Sequence, residues 1–316
     1  MSVRIACVGG GPGGLYAAIL LKLADPGREV VVYERNRPDD TFGFGVVFSD
    51  ATLDNIRDAD PATYAAITAD FAHWDDIDVH FRGQVLRSTG HGFAGLSRQR
   101  LLEVLQARAE AVGVETRFQT EVQDLAGLRA DLVIAADGVN SGTRQRFAKE
   151  LGADVQMGKN RFLWLGTTRQ FPAFTFYFRE NEHGLWRVHA YNYEAGRSTF
   201  IVETTDAAWR AAGMADADEQ TSADYCAALF AEELEGHPLL LNRSIWRRFP
   251  TVKCARWSHE NVVLIGDAVR TAHFSVGSGT KLAMEDAIAL TDEGLLRVDQ
   301  LLPDFYDAKY RNARYT

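Results

Sequence analysis

Apolar positions along this chain fall into three styles, and each style predicts a different kind of element. The first is the short unbroken run. Ile5-Ala6-Cys7-Val8, Val30-Val31-Val32-Tyr33, Leu132-Val133-Ile134-Ala135-Ala136 and Val262-Val263-Leu264-Ile265 each read as a strand buried on both faces, as in a parallel sheet. The second style has helical spacing. Leu15, Ala18, Ile19, Leu21 and Leu23 predict one helix, residues 50–70 read as helical, and Leu101, Leu102, Leu105 and Val112 predict another helix with Ser97 as its N-cap. A further helix is predicted over Thr280–Leu290. The third style is alternation. Ile77, Val79 and Phe81 alternate with Asp78, His80 and Arg82, and Gly83 turns the chain into Val85 and Leu86, which predicts a hairpin with one wet face. Aromatic and β-branched runs at Phe174–Phe178, Leu185–Tyr191 and Ser198–Glu203, with turns at Gly184 and Glu194-Ala195-Gly196, extend this antiparallel style.

These styles alternate along the chain, so the expected class is α/β: a Rossmann-like dinucleotide fold interrupted by an antiparallel lobe. Residues 1–72, 94–157 and 254–295 are expected to build the nucleotide fold, 73–93 and 158–253 the antiparallel substrate lobe, and 296–316 an incomplete C-terminal helix. A chain of 316 residues, 46% hydrophobic, supports cores of this size. The net charge of −9 gives no basic stripe for nucleic acid. No apolar run nears the roughly 20 residues of a membrane helix, and residues 3–8 read as a core strand rather than a leader. Cys7, Cys226 and Cys254 fit no metal or redox spacing. A soluble cytoplasmic protein, monomer or homodimer, is expected.

The chemistry sits where the apolar runs stop. Gly9, Gly11 and Gly14 fit G-x-G-x-x-G between a strand and a helix, with Pro12 inside the turn and Glu34 about 20 residues past Gly14, where a ribose-binding acid belongs. Gly9 permits a tight turn, Gly11 lets a pyrophosphate approach, and Gly14 lets the helix pack on the strand. Gly90, Gly92 and Gly95 match the same spacing, but the helix after them starts late, so a second nucleotide turn is not expected there. Asp137-Gly138 and Gly266-Asp267 end two more buried strands, and the three strand ends should converge on one elongated ligand. Gly43 and Gly45 around Phe44 suggest backbone lying against something bulky. The glycine turn alone leaves NAD and FAD open.

Three motifs carry a resemblance: Gly9–Gly14, Asp137-Gly138-Val139-Asn140-Ser141-Gly142-Thr143-Arg144 and Gly266-Asp267-Ala268 resemble the fingerprints of single-component flavoprotein aromatic hydroxylases, whose fold is p-hydroxybenzoate hydroxylase-like. Phe42–Asp50, Phe71–His80 and His273–Lys281 are similar to the branch of salicylyl-CoA 5-hydroxylase and 2-aminobenzoyl-CoA monooxygenase, with a violacein-pathway hydroxylase as a more distant look-alike. Arg270 departs from the broad family, which often has His there.

The resemblance implies FAD as cofactor and NAD(P)H and O2 as co-substrates. It implies hydroxylation of an activated ring through a flavin C4a-hydroperoxide, with no metal. An aryl-CoA such as salicylyl-CoA, hydroxylated at its 5-position, is the expected substrate. Alternatives are a tryptophan- or indole-derived aromatic and, in another class, an FAD-binding reductase or sensor. Gly9, Gly11, Pro12 and Gly14, with Glu34 and Arg35, are implied at the ADP end, Arg98 near the pyrophosphate, and Asp137, Gly138, Gly266 and Asp267 along the ligand. Gly45, Val46, Gly277, Gly279, Thr280 and Lys281 are implied near the flavin ring. Candidate bases or orienters are His273, His189, Tyr191 and Tyr193. Arg243, Arg247, Arg248, Lys253 and Arg256, and likewise Lys159, Arg161 and Arg169, read either as a grip for CoA phosphates or as a mixed-charge surface.

Overall fold

The computed structural model describes residues 2–277 and 279–293; the expected helix over 296–316 lies outside them. Six strands form the first sheet, in the spatial order β16 (Ser258–His259), β17 (Val262–Leu264), β9 (Leu132–Ala135), β1 (Arg4–Val8), β2 (Glu29–Tyr33) and β8 (Glu115–Arg117). All neighbours are parallel except β16 and β17. The unbroken apolar runs are thus adjacent central strands, shielded on both faces. Their register pairs Val8 with Tyr33 and with Ala135, and Ala135 with Leu264, so all of them end at one rim.

Helix α1 (Pro12–Ala24) buries Leu15, Ile19 and Leu21 against Ile5, Cys7, Val30 and Val32. Leu101 and Leu105 of α4 (Arg98–Ala111) close the same core, and Ser97 caps α4 by accepting from the Arg100 N–H. Each such fully buried aliphatic contributes about 1.5–3 kcal/mol. Helices α2 (Asp50–Ala59) and α3 (Pro61–Thr68) occupy the stretch read as helical, while α5 (Gly142–Arg146) and α6 (Ala148–Leu151) follow β9. Helix α10 (Gly279–Glu293) lies beside α1. No helix among the described residues is long and apolar enough to cross a membrane.

A second sheet joins β3 (Gly45–Ser49), β7 (Phe93–Ser97) and β4 (Ala72–Trp74), with β7 central. The second glycine-rich match therefore runs into β7, and a Cβ at Gly95 would stand 2.1 Å from the Asn192 carbonyl oxygen. That glycine serves sheet-to-sheet contact.

The third sheet has the order β14 (Leu239–Leu240), β10 (Ala153–Thr167), β13 (Arg197–Thr205), β12 (Gly184–Glu194), β11 (Phe174–Asn181), β5 (Ile77–Phe81) and β6 (Gln84–Ser88), with β15 (Arg247–Cys254) also pairing β10. The expected hairpin is β5–β6, attached to the lobe by parallel pairing of β5 with β11. Strand β10 opens at Ala153, ahead of residue 158; its first part exposes Val155 and Met157 and so lacks an inward apolar face. Directly paired residues share a face. One face, with Leu163, Leu165, Val188, Phe200 and Val202, is covered by α7 (Asp206–Ala211), α8 (Glu219–Leu229) and α9 (Ala231–Leu234). The other carries Phe162, Phe176, Arg187, His189, Tyr191 and Glu203, and it faces the parallel layer.

Candidate active site at the seam of the two lobes

The glycine turn is shaped by sterics. Gly9 holds φ +107°, and a Cβ there would lie 2.3 Å from the Ala136 carbonyl oxygen. A Cβ at Gly14 would lie 2.0 Å from the Gly9 oxygen, so α1 starts directly over its own turn. Around Gly11, by contrast, nothing lies within 4 Å of a Cβ. Pro12 occupies the start of α1, and no side chain caps the helix, so its first-turn N–H groups face that opening. Glu34 stands beside the turn. Its Oε2 accepts from Gly10 N–H at 2.7 Å, and Oε1 accepts from the Asn36 backbone and side-chain amides at 2.8 and 2.7 Å. Oε1 is thereby filled, while Oε2 keeps one acceptor position. Arg35 is exposed next to it.

The other two strand ends are stitched together. Arg144 is buried and donates to Val139 O at 2.6 Å, Ala268 O at 2.9 Å and Asp267 O at 3.3 Å. One guanidinium thus binds the Asp-Gly turn to the Gly-Asp turn. Asp137 Oδ2 accepts from Thr143 N–H at 3.1 Å, while its Oδ1 is sealed from solvent with no partner. Nothing lies within 4 Å of a Cβ built at Gly138. Gly266 N–H donates to Asp286 Oδ2 at 2.9 Å, and Asp286 Oδ1 accepts from Arg270 at 2.7 Å. Burial raises the Asp286 carboxyl, and Arg270 pulls it back. Arg270 therefore holds the Gly-Asp turn onto α10. Burial also raises the Asp267 carboxyl, opposed first by the field of Arg98.

Arg98 opens α4. Its backbone N–H donates to Phe44 O at 2.8 Å, and its guanidinium lies 4.7 Å over the Phe42 ring. Its Nε is sealed off without a partner, and it makes no salt bridge among the described residues. Burial lowers its basicity, with Asp267 opposing.

On the lobe side, the glycines around Phe44 do lie against bulk. A Cβ at Gly43 would stand 3.0 Å from the Trp164 ring, and one at Gly45 2.5 Å from the Tyr193 Cβ. Gly45 is clamped by both backbone groups: its N–H donates to Thr199 Oγ1 at 3.0 Å and its carbonyl accepts from Tyr191 OH at 2.9 Å. Burial pushes the Tyr191 phenol up to about 12 and raises that of Tyr193. Val46 is buried and pairs with Leu96. Gly277 holds φ +66° and approaches Val47. Gly279 starts α10 with open space at its Cβ position, and Thr280 follows half-buried. Lys281 reaches the end of β3, donating to Ser49 Oγ at 3.2 Å.

The two histidines meet across the seam. His273 stacks on Phe274 at 4.2 Å, its Nδ1 lies 2.8 Å from Ser275 Oγ, and its Nε2 stands 3.8 Å from Glu203 Oε1. His189 is buried between Phe176 and Phe274, at 4.9 and 5.5 Å between rings, and its Nδ1 has no partner. Burial drives its pKa down to about 4, against the pull of Glu203. Glu203 was not among the residues singled out from sequence. Its one visible signal is a lone acid inside the apolar run Thr199-Phe200-Ile201-Val202 of β13.

A family model described as FAD binding domain matches residues 2–127 and 124–293. The chain belongs to the FAD binding domain family. Salicyloyl-CoA 5-hydroxylase of a Streptomyces species is 48% identical over 96% of this chain and 60% of its own length. The chain thus spans about 60% of the length of that relative. The 3-hydroxy-4-methyl-anthranilyl-[aryl-carrier protein] 5-monooxygenase of Streptosporangium sibiricum is 38% identical over 92% of this chain and 78% of its own. The crystal structure of P. aeruginosa PqsL in complex with 2-aminobenzoylacetate superposes with a TM-score of 0.75 at 21% identity, covering 98% of this chain and 91% of that one, which establishes a shared fold.

FAD is the dinucleotide of this family, and the residues present fit it. Among the described residues, Gly11, Gly138 and Gly279 face open space, Arg98 is a half-buried cation whose sealed Nε has no partner, and Asp137 holds an orphaned buried oxygen. A long dinucleotide along the rim would offer phosphates to Arg98 and the open glycine turns, and hydroxyl donors to the Asp137 oxygen.

Proposed function

We propose that this chain is the FAD-dependent part of an aromatic-ring monooxygenase that consumes NAD(P)H and O2 and hydroxylates an activated ring held as a CoA thioester, salicylyl-CoA at its 5-position first. The observation that carries this reading is the seam. The aromatic face of the antiparallel sheet, bearing His189 and Glu203, meets the His273–Phe274 segment just ahead of α10. The parallel and three-stranded sheets form the FAD lobe and the antiparallel sheet the substrate lobe. Gly9, Gly11, Pro12 and Gly14 hold the ADP end, Glu34 Oε2 reaches the ribose, Arg35 flanks it, and Arg98 neutralises the pyrophosphate. Asp137, Gly138, Gly266 and Asp267 line the middle. Gly45, Val46, Gly277, Gly279, Thr280 and Lys281 frame the ring end.

Bound FAD supplies the redox and oxygen chemistry. The protein holds the ring, excludes water with Phe162, Phe176 and Phe274, and takes a proton. His273 is the best-placed acceptor by position, its Nε2 standing 3.8 Å from Glu203 Oε1; burial lowers its basicity, and Glu203 opposes that. Tyr191 acts on position: its proton is committed to the Gly45 carbonyl. For a thioester substrate the phosphates need cations. Arg161 and Arg248 are both committed to Asp206, Arg243 to Asp40 and Arg169 to Glu235. Arg247 is exposed and lies opposite Phe162 in the β10–β15 ladder, on the seam face. The test is NAD(P)H oxidation and product analysis with FAD-loaded protein. Salicylyl-CoA should accelerate oxidation and yield its 5-hydroxy product; absence of any hydroxylated product across aryl-CoA esters, aromatic acids and indoles would sink the reading.

A further inference from the structure

Glu203 and His189 are 1% and 3% exposed, yet each keeps one polar atom with no partner. Glu203 Oε1 is filled by Asn160 Nδ2 at 2.7 Å and Arg187 Nη2 at 2.5 Å. Its Oε2 accepts from nothing among the described residues. His189 Nδ1 is likewise unpaired. Both residues stand on one face of adjacent strands: Arg187 pairs directly with Glu203, and His189 is the next residue on that face of β12. Around them Phe162, Phe176 and Phe274 form walls without hydrogen-bonding groups. A carboxylate oxygen stripped of water and left unpaired is a costly arrangement, retained where a ligand completes it.

We infer that Glu203 and His189 form a subsite for a hydroxyl or amino substituent on the substrate ring, so that the protein selects rings bearing a hydrogen-bond donor over equal-sized rings bearing a methyl group. The inference rests on the aromatic-hydroxylase reading and adds to it the chemical feature that is recognised. The substituent's O–H or N–H donates to Glu203 Oε2. His189 adapts by tautomer, donating to a hydroxyl oxygen or accepting from a second amino N–H. Arg187 and Asn160 fix the carboxylate so that only Oε2 is offered. A methyl group leaves the buried oxygen unpaired, which is how a polar site rejects an isostere.

The experiment titrates FAD-loaded protein with phenol, aniline and toluene, and with 2-hydroxy-, 2-amino- and 2-methylbenzoyl-CoA, reading the flavin absorbance change. Wild-type protein should bind the hydroxy and amino members about tenfold or more tightly than the methyl member of each series. Glu203→Gln should cut that preference about tenfold while toluene affinity moves by less than about threefold. Equal binding of phenol, aniline and toluene to wild type would overturn the subsite, and so would an equal weakening of all three in Glu203→Gln. If the CoA esters bind no better than the fragments while the donor preference persists, the thioester reading fails and the subsite stands. Flavin content and melting temperature verify folding. Should Glu203→Gln not fold, His189→Leu takes its place, and a donor preference unchanged in it overturns the inference.

Discussion

Arg98 puts affinity and stability in opposition at a single residue. A half-buried cation with a sealed, unpartnered Nε and no carboxylate in contact among the described residues costs the empty protein free energy and suits a bound anion. Arg98→Met should weaken FAD binding by about tenfold or more, the scale of a charge-assisted hydrogen bond. The apoprotein should melt no lower than wild type; a drop of several degrees would show that the guanidinium is structural. Gly11 makes the complementary case, since its Cβ position is open. Gly11→Val should fold and lose flavin, and a variant that purifies yellow refutes the assignment of this turn to the pyrophosphate. His189 predicts a pH effect. Its pKa falls from 6.5 unfolded to about 4 folded, so the unfolded chain binds the proton first as pH drops. Stability should therefore be complete above about pH 6.5 and decline toward pH 4, by on the order of 3 kcal/mol. Urea unfolding across that window should show the slope in wild type and a shallower one in His189→Phe. At this scale the glycine turn was readable, because its backbone demands are local. Glu203 was not, because its partners Asn160 and Arg187 lie on other strands and only sheet register brings them together.

Among elements, α10 carries an unusual share of the site. Asp286 on its buried side holds the Gly266 N–H, and Arg270 neutralises it. Asp286 is fully buried and Arg270 is its ion-pair partner, so Arg270→Met should destabilise the protein by about 3–5 kcal/mol. Arg270→Met combined with Asp286→Asn should recover part of that loss in urea unfolding. Simple additivity of the two substitutions would contradict the pairing. The same contact shows why Arg270 looked like a departure in sequence: its partner sits on a helix whose periodicity reveals an inward Asp286 only once the turn beneath it is known. The central strands of the parallel sheet were plain in the apolar pattern, since burial on both faces leaves no polar positions. The first part of β10 was not, because Val155 and Met157 are exposed and its pairing depends on β15.

For the whole molecule, under the proposed function the rim of one sheet is the cofactor cradle and the face of another the substrate wall, so that site would exist only when both lobes are docked. FAD bridging the rim should raise the melting temperature with the logarithm of its free concentration, as a thermal shift series would show; a melting temperature independent of FAD would count against a preformed cradle. The change from parallel to antiparallel pairing was legible in the switch between apolar styles, whereas the meeting of His189, Glu203 and His273 depends on tertiary geometry. One feature of the β10–β15 ladder reaches into how the chain folds. Strands β9 and β17 are hydrogen-bonded neighbours, yet strands β10–β15 of the antiparallel lobe lie between them in sequence. Bringing such distant segments together is slow when the intervening chain is loose. Here the lobe's entry and exit are themselves paired, Ala153 opposite Cys254. Once the lobe has folded, a long-range closure becomes a short one, and the last strand of the cofactor sheet is delivered almost at its berth. Weakening the Ala153–Met157 pairing should slow the recovery of flavin binding on refolding far more than equal damage to the β5–β6 hairpin.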